Sequence, residues 1–185
     1  EIENQHLQIS PSIGIAIYPE AGEDPLSILQ HADMAMYETK NKGKNGSSLY
    51  TKELYKKMER KARIEKDLPL ALVNKEFFLV YQPQVDITTN KIIGAEALIR
   101  WKHPLLGDIS PCEFIPIVEE TPQVIPLGHW VLRESCRQLK IWQSFGYTNL
   151  KMSVNLSAKE FQQNQLIENI SQILKDVKID PKDVT

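Results

Sequence analysis

The stretch Ile92–Trp101 reads Ile-Ile-Gly-Ala-Glu-Ala-Leu-Ile-Arg-Trp, and few folds can accommodate it. Its small and β-branched apolar residues, interrupted by two charges, have the composition of a buried strand. Side chains alternate faces along a strand, so Glu96, Leu98 and Arg100 share one face. Ala95, Ala97, Ile99 and Trp101 share the other and suit packing beneath helices. A carboxylate and a guanidinium in such a strand are costly to bury without partners. Two readings follow. One is structural, an ion pair between Glu96 and Arg100 or charges at a frayed strand end; the other is a metal-ligating carboxylate beside an anion-binding arginine. The strand alone leaves both open.

The 185 residues are 42% hydrophobic and 25% charged, with a formal net charge of -2, as in an ordinary soluble globular protein of one or two domains. So small a net charge supplies no long-range field for nucleic acid or anionic lipid, and any phosphate site has to be local. Cys112 and Cys136 lack Cys-x-x-Cys spacing and are expected to be buried free thiols of a cytosolic protein. No signal peptide and no apolar run of membrane-spanning length are found. The expected location is cytoplasmic, with anchoring of a longer parent through upstream segments left open. The opening at Glu1 and the end at Val184–Thr185 suggest a piece of something longer.

In the first fifty residues, Ile13, Ile15 and Ile17 alternate with Gly14, Ala16 and Tyr18, the pattern of a strand ended by Pro19. Asp24-Pro25 starts a helix with Ile28, Leu29, Ala32, Ala35 and Met36 on one face, closed by Lys40, Lys42 and Lys44 around Gly43. His31 and Asp33 on this helix read as solvated surface. Ser47–Tyr50 suits a further strand. Thr51–Leu68 is a charged, largely solvated helix; its acids interleave with its bases, which disfavours a nucleic-acid patch. Pro69 is expected to break it, with a second short helix from Leu70.

Phe77–Val85 is a strand carrying Gln82-Pro83-Gln84, and proline argues for an edge, a bulge or a strand end. A polar turn at Thr88–Lys91 leads into the central strand, and a loop at 103–108 leads out of it. Ser110-Pro111 caps a helix through about Glu120. A second helix, Leu127 to about Phe145, has Leu132, Ser135, Cys136, Leu139 and Trp142 on one face and ends at Gly146. Met152–Leu156 is a short strand, Ser157 caps a turn, and 165–177 is an amphipathic helix. Strands alternating with helices imply a parallel sheet with covered faces. His103 reads as a surface residue rather than a metal ligand, having no second histidine at ligand spacing. Glu119-Glu120 diverge on a helix, and Trp130 and Trp142 suit packing. Asn155 closes an apolar strand, where a barrel site would collect polar ligands, although asparagine is also a common cap.

Ser12-Ile-Gly-Ile-Ala-Ile-Tyr-Pro-Glu, Ala32-Asp-Met-Ala-Met-Tyr and Lys40-Asn-Lys-Gly-Lys-Asn, in that order, resemble the C-terminal third of a GGDEF domain, the family that includes diguanylate cyclases. The signature turn and the metal-binding aspartate would lie upstream of Glu1, so this portion is expected to be catalytically silent. Tyr81-Gln-Pro-Gln-Val-Asp, Glu96-Ala-Leu-Ile-Arg-Trp, His103-Pro, Phe114-Ile-Pro, Trp130-Val-Leu-Arg-Glu and Ser153-Val-Asn-Leu-Ser resemble the EAL domain. Pro122 departs from it, standing where that family usually has glycine.

The resemblance implies an α/β chain: the end of an α/β GGDEF domain at 1–50, a linker helix at 51–68, and the N-terminal part of a modified (β/α)8 EAL barrel at 69–185. It implies metal-dependent hydrolysis of cyclic di-GMP to pGpG by the intact parent, in bacterial second-messenger signalling, with two Mg²⁺ or Mn²⁺ ions. Glu96 and Asn155 would be metal ligands, and Gln82, Leu98 and Arg100 would contact the substrate. The chemistry is coherent: carboxylate and amide oxygens are hard ligands, paired ions activate water, and arginine forks onto phosphate. No catalytic base is expected within this chain, because the family's acidic pair and lysine would follow Thr185 in a barrel of about 250 residues. The chain alone is therefore expected to be inactive, to be aggregation-prone, partly disordered or held together by self-association, and to be part of a parent that is a homodimer and binds no nucleic acid. The alternative is a catalytically inactive EAL domain acting as a cyclic di-GMP receptor. A glycosidase barrel would need a second strand-end carboxylate, and none is seen.

Overall fold

A computed structural model of the chain describes residues 10–185. It separates into two units, one running to Arg63 and the other starting at Ile64.

In the first unit, β1 (Ser12–Ile15) and β2 (Gly46–Leu49) are parallel neighbours joined through α1 (Pro25–Asn41). Asp24 caps α1 by accepting a hydrogen bond from the Ser27 amide at 3.0 Å, which satisfies one of the amides left over at a helix start. β1 ends at Ile15, so Ile17 and Tyr18 lie outside it. Its small residue Gly14 is half-buried, while Ile13 and Ile15 are exposed. His31 corrects the expectation of a solvated side chain. It is half-buried, stacks on Tyr50 with ring centroids 4.0 Å apart, and has Nδ1 2.7 Å from the Ala21 carbonyl oxygen. Asp33 is exposed as expected. Burial works against charge on Glu38, but Lys57 at 3.1 Å and Lys42 at 3.4 Å outweigh it and hold the carboxyl below its ordinary value.

Helix α2 (Lys52–Ala71) runs through Pro69 without a break, contrary to the sequence expectation. Proline forfeits only its own amide and the space before it. Two residues from the helix end, that loss is held in place by the burial of Leu68 and Ala71. The last turns, from Ile64, accordingly belong to the core of the second unit rather than to a solvated linker.

The second unit is built on β4 (Lys91–His103). It pairs antiparallel with β3 (Phe77–Asp86) and with β5 (Gly107–Ile109), and parallel with β6 (Lys151–Val154). The all-parallel sheet expected from alternation is thus corrected to a mixed one. The turn after Asp86, whose carboxylate accepts from the Thr88 and Thr89 amides at 2.9 and 2.7 Å, closes a hairpin. The loop expected at 103–108 contains the start of the three-residue β5. Pro83 sits in β3, which among the described residues pairs only with β4, and the register shifts just beyond it, between Gln84 and Val85, as proline in a strand demands. At Gly94 a side chain would put its Cβ 2.7 Å from the Lys151 carbonyl oxygen, so glycine is what lets β6 approach β4.

Two apolar clusters cover this sheet. Trp101, Phe77 and Phe114 gather with the end of α2 and with α3 (Pro111–Glu120), while Ala97, Met152, Leu132 and Leu139 gather with α4 (Val124–Ser144) and α6 (Leu166–Val177). Trp130 and Trp142 pack against these clusters. Ser110 and Glu113 form a capping box at α3, and Ser157 caps the four-residue α5 (Ala158–Phe161). His103 is buried, not on the surface. Its Nε2 lies 3.0 Å from the Asp67 carboxylate and its Nδ1 accepts from the Leu105 and Leu106 amides.

Cys136 is buried as expected, whereas Cys112 is exposed; it lies on the outer side of α3's first turn. Burial pushes the Cys136 thiol up to about 11, against a smaller opposing effect of Arg133. A thiol reagent at pH 8 is therefore expected to modify Cys112 rapidly and Cys136 only after denaturation, since the thiolate is the nucleophile. Two thiols reacting at equal rates in the folded chain would contradict this placement.

Candidate functional site

The alternation of β4 is as the sequence requires: Ala95, Ala97 and Trp101 are buried, and Glu96, Leu98 and Arg100 are half-buried on the opposite face. The register aligns Gln82 of β3 and Ser153 of β6 with Glu96. One face of three adjacent strands therefore carries Gln82, Glu96 and Ser153 side by side, with Leu98 and Arg100 farther along β4. Asn155 follows β6 by one residue and projects from the same end.

Two of the five residues singled out from sequence meet directly. Asn155 Nδ2 donates a hydrogen bond to Glu96 Oε1 at 2.7 Å, joining residues far apart in the chain. Arg100 does not pair with Glu96; its Nη1 donates to the carbonyl oxygen of Ile99 at 2.8 Å. Four residues of extended strand separate the two by about 13 Å, farther than a direct ion pair spans without folding both side chains along the strand. The structural ion pair is thus set aside. Leu98, Arg100 and Asn155 line one cleft of about 280 Å³, together with Glu119, Gly128, Ser157 and Glu160. Gln82 lies outside that cleft, exposed beside Glu96.

The sequence reading missed Gln84, Ser153 and Glu160. The Gln84 and Ser153 side chains are hydrogen-bonded at 3.1 Å, tying β3 to β6 across the face that carries Glu96. The signal was present: Gln84 and Ser153 lie two residues from Gln82 and Asn155, and so share their faces. Tyr81, on the opposite face of β3, is pushed up to about 12 by burial, with Glu134 adding to the effect, which leaves it neutral and without acid–base work. Glu119 and Glu120 are both exposed at the end of α3.

The donor set suits a hard divalent ion, with one carboxylate and one amide in hydrogen-bond contact and no thiolate or imidazole beside them. No cluster of three or more His, Cys, Asp or Glu at ligating distance occurs among the described residues.

This arrangement is a polar patch on one face of a mixed sheet in an α/β fold. The EAL domain family matches residues 65–185, and the diguanylate cyclase GGDEF domain family matches residues 1–46. The chain belongs to the EAL domain family, preceded by a GGDEF fragment. It is 35% identical over 181 residues to the bifunctional diguanylate cyclase/cyclic di-GMP phosphodiesterase MucR of Pseudomonas aeruginosa, an alignment covering 98% of this chain and 26% of that protein. It is 34% identical over 168 residues to the cyclic di-GMP phosphodiesterase PdeR of Escherichia coli, covering 91% of this chain and 25% of that protein. The solved structure of the MucR phosphodiesterase in complex with cyclic di-GMP superposes with a TM-score of 0.64 at 36% identity, covering 66% of this chain and 49% of that one. The chain thus spans about a quarter of the length of these relatives. The fold of the second unit is that of part of an EAL domain, as the sequence suggested. Among the described residues, no helix is long and apolar enough to cross a membrane.

Because Glu96 is half-buried and bonded to an amide rather than to a cation, Glu96→Gln is expected to change folding stability by no more than about 1 kcal/mol. Urea unfolding followed by tryptophan fluorescence measures this. A loss of about 3–5 kcal/mol would restore the buried ion pair.

Proposed function

We propose that this chain contributes one part of the active site of a longer cyclic di-GMP phosphodiesterase that converts the dinucleotide to pGpG. In that protein, residues 1–50 are GGDEF-derived, 51–68 join the parts, and 69–185 open the EAL domain. The observation that carries the reading is the contact between Glu96, midway along the central strand, and Asn155, just past the end of β6, beside a cleft lined by Leu98 and Arg100. Glu96 and Asn155 would hold Mg²⁺ or Mn²⁺, whose chemistry when bound is to activate water and to stabilise the leaving oxygen. Arg100 exchanges its bond to the Ile99 carbonyl for a phosphate oxygen, where its fork donates two parallel hydrogen bonds. Leu98 packs along the nucleotide and Gln82 hydrogen-bonds it from the neighbouring strand. Full catalysis would draw on further acids and a base supplied elsewhere in that longer protein.

In the longer protein, Glu96→Gln is expected to lower Mn²⁺- or Mg²⁺-dependent pGpG formation by more than about 100-fold, since a charged ligand is lost where even its supporting partners are worth 10–100-fold. Chromatographic product analysis beside a cyclic di-GMP binding titration checks this. Substantial turnover by the variant would overturn the role of Glu96. Tight binding with no turnover by the unmodified protein would replace the enzyme with a cyclic di-GMP receptor, for which the Leu98–Arg100 cleft would suffice.

A further inference from the structure

The turn that delivers Asn155 is fixed by a residue five positions later. Glu160 is 6% exposed, and its Oε2 accepts hydrogen bonds from the Ser157 amide at 2.9 Å and the Ser157 hydroxyl at 2.7 Å. The Ser157 hydroxyl in turn accepts from the Glu160 amide at 3.2 Å. The other carboxylate oxygen sits over Gly128 of α4, where a Cβ would come 1.7 Å from Oε1 and 2.5 Å from Cδ. Gly128, Ser157, Glu160 and Asn155 all line the same cleft.

We propose that Glu160, seated in the notch left by Gly128, is a positioning residue that holds Asn155 against Glu96. The proposal rests on the ligand role given to Asn155 above. A four-residue helix such as α5 has too few internal hydrogen bonds to hold its own place, so its position comes from what it docks on. The carboxylate supplies that docking twice over: one oxygen accepts from both the amide and the hydroxyl of Ser157, and the other fills a gap that no residue larger than glycine leaves open. Asn155 precedes Ser157 by two residues, so anchoring Ser157 leaves Asn155 only the freedom of one intervening residue, Leu156. Interior positions of a helix disfavour glycine, and Gly128 lies within α4. Its presence there is accounted for by the carboxylate it admits.

The test uses the ¹⁵N-labelled 185-residue chain without metal and follows the side-chain amide resonances of Asn155. In the unmodified chain these are expected to be displaced from free-asparagine positions and protected from solvent exchange by the bond to Glu96. Glu160→Ala and Gly128→Ala are each expected to return them toward free positions and speed their exchange by about tenfold or more, as for local opening. Glu160→Gln keeps an oxygen for the Ser157 amide and is expected to retain the native signals. Unchanged Asn155 signals in Glu160→Ala and Gly128→Ala, even with a lowered melting temperature, would overturn the proposal and leave Glu160 a helix cap only. Should Gly128→Ala fail to fold, the contrast between Glu160→Ala and Glu160→Gln decides alone. Adding Mn²⁺ to the unmodified chain separates the two levels. Absence of selective broadening at Asn155 would remove the ligand reading, while the metal-free spectra still decide what Glu160 does.

Discussion

The second unit depends on the pairing of β4 with three partners at once. β4 is the strand to which β3, β5 and β6 all hydrogen-bond, so it sets the position of every side chain at the site. Its buried face anchors the two apolar clusters through Trp101 and Ala97, and its other face is thereby obliged to present Glu96, Leu98 and Arg100 together. A one-residue slip would exchange the two faces and bury both charges. Gly94 guards against this by admitting β6 at a separation that only glycine permits. The register that makes the core is the register that makes the site.

Two charges on an apolar strand present a solvation problem, and the structure resolves each one separately. Glu96 takes an amide donor from the end of β6, and Arg100 turns to a carbonyl of its own strand. Both arrangements satisfy the groups without neutralising them. An ion pair would have quenched the carboxylate's attraction for a cation and the guanidinium's attraction for a phosphate. Kept apart, the two remain available to a cation and to an anion respectively.

Much of this was legible in the sequence because it is local. The faces of β4, the caps at Asp24, Ser110 and Ser157, and the edge character of β3 all follow from residue type and spacing. What escaped is set by partners distant in sequence. Alternation of strand and helix suggested parallel pairing, but the polar turn after Asp86 closes a hairpin, and strand composition does not distinguish a parallel from an antiparallel neighbour. β5 has only three residues, too few for a pattern. Pro69 breaks a helix in isolation, yet Leu68 and Ala71 are buried and carry α2 past it. His103 looked exposed because its partner Asp67 lies 36 residues away on α2. Glu160 was missed although it stands at capping-box spacing from Ser157; its seat on Gly128 is a tertiary fact that no local signature encodes.

The central claim is that Glu96, Asn155 and Arg100 read one metal-bound phosphate of cyclic di-GMP. The most direct measurement is a crystal structure of the longer protein with cyclic di-GMP and Ca²⁺, an ion that occupies hard oxygen sites. The ion is expected within about 2.3–2.6 Å of a Glu96 carboxylate oxygen and of the Asn155 amide oxygen. The Arg100 guanidinium is expected about 2.7–2.9 Å from a phosphate oxygen. A dinucleotide bound with its phosphates away from Arg100, or an ion bound without Glu96, would contradict the account.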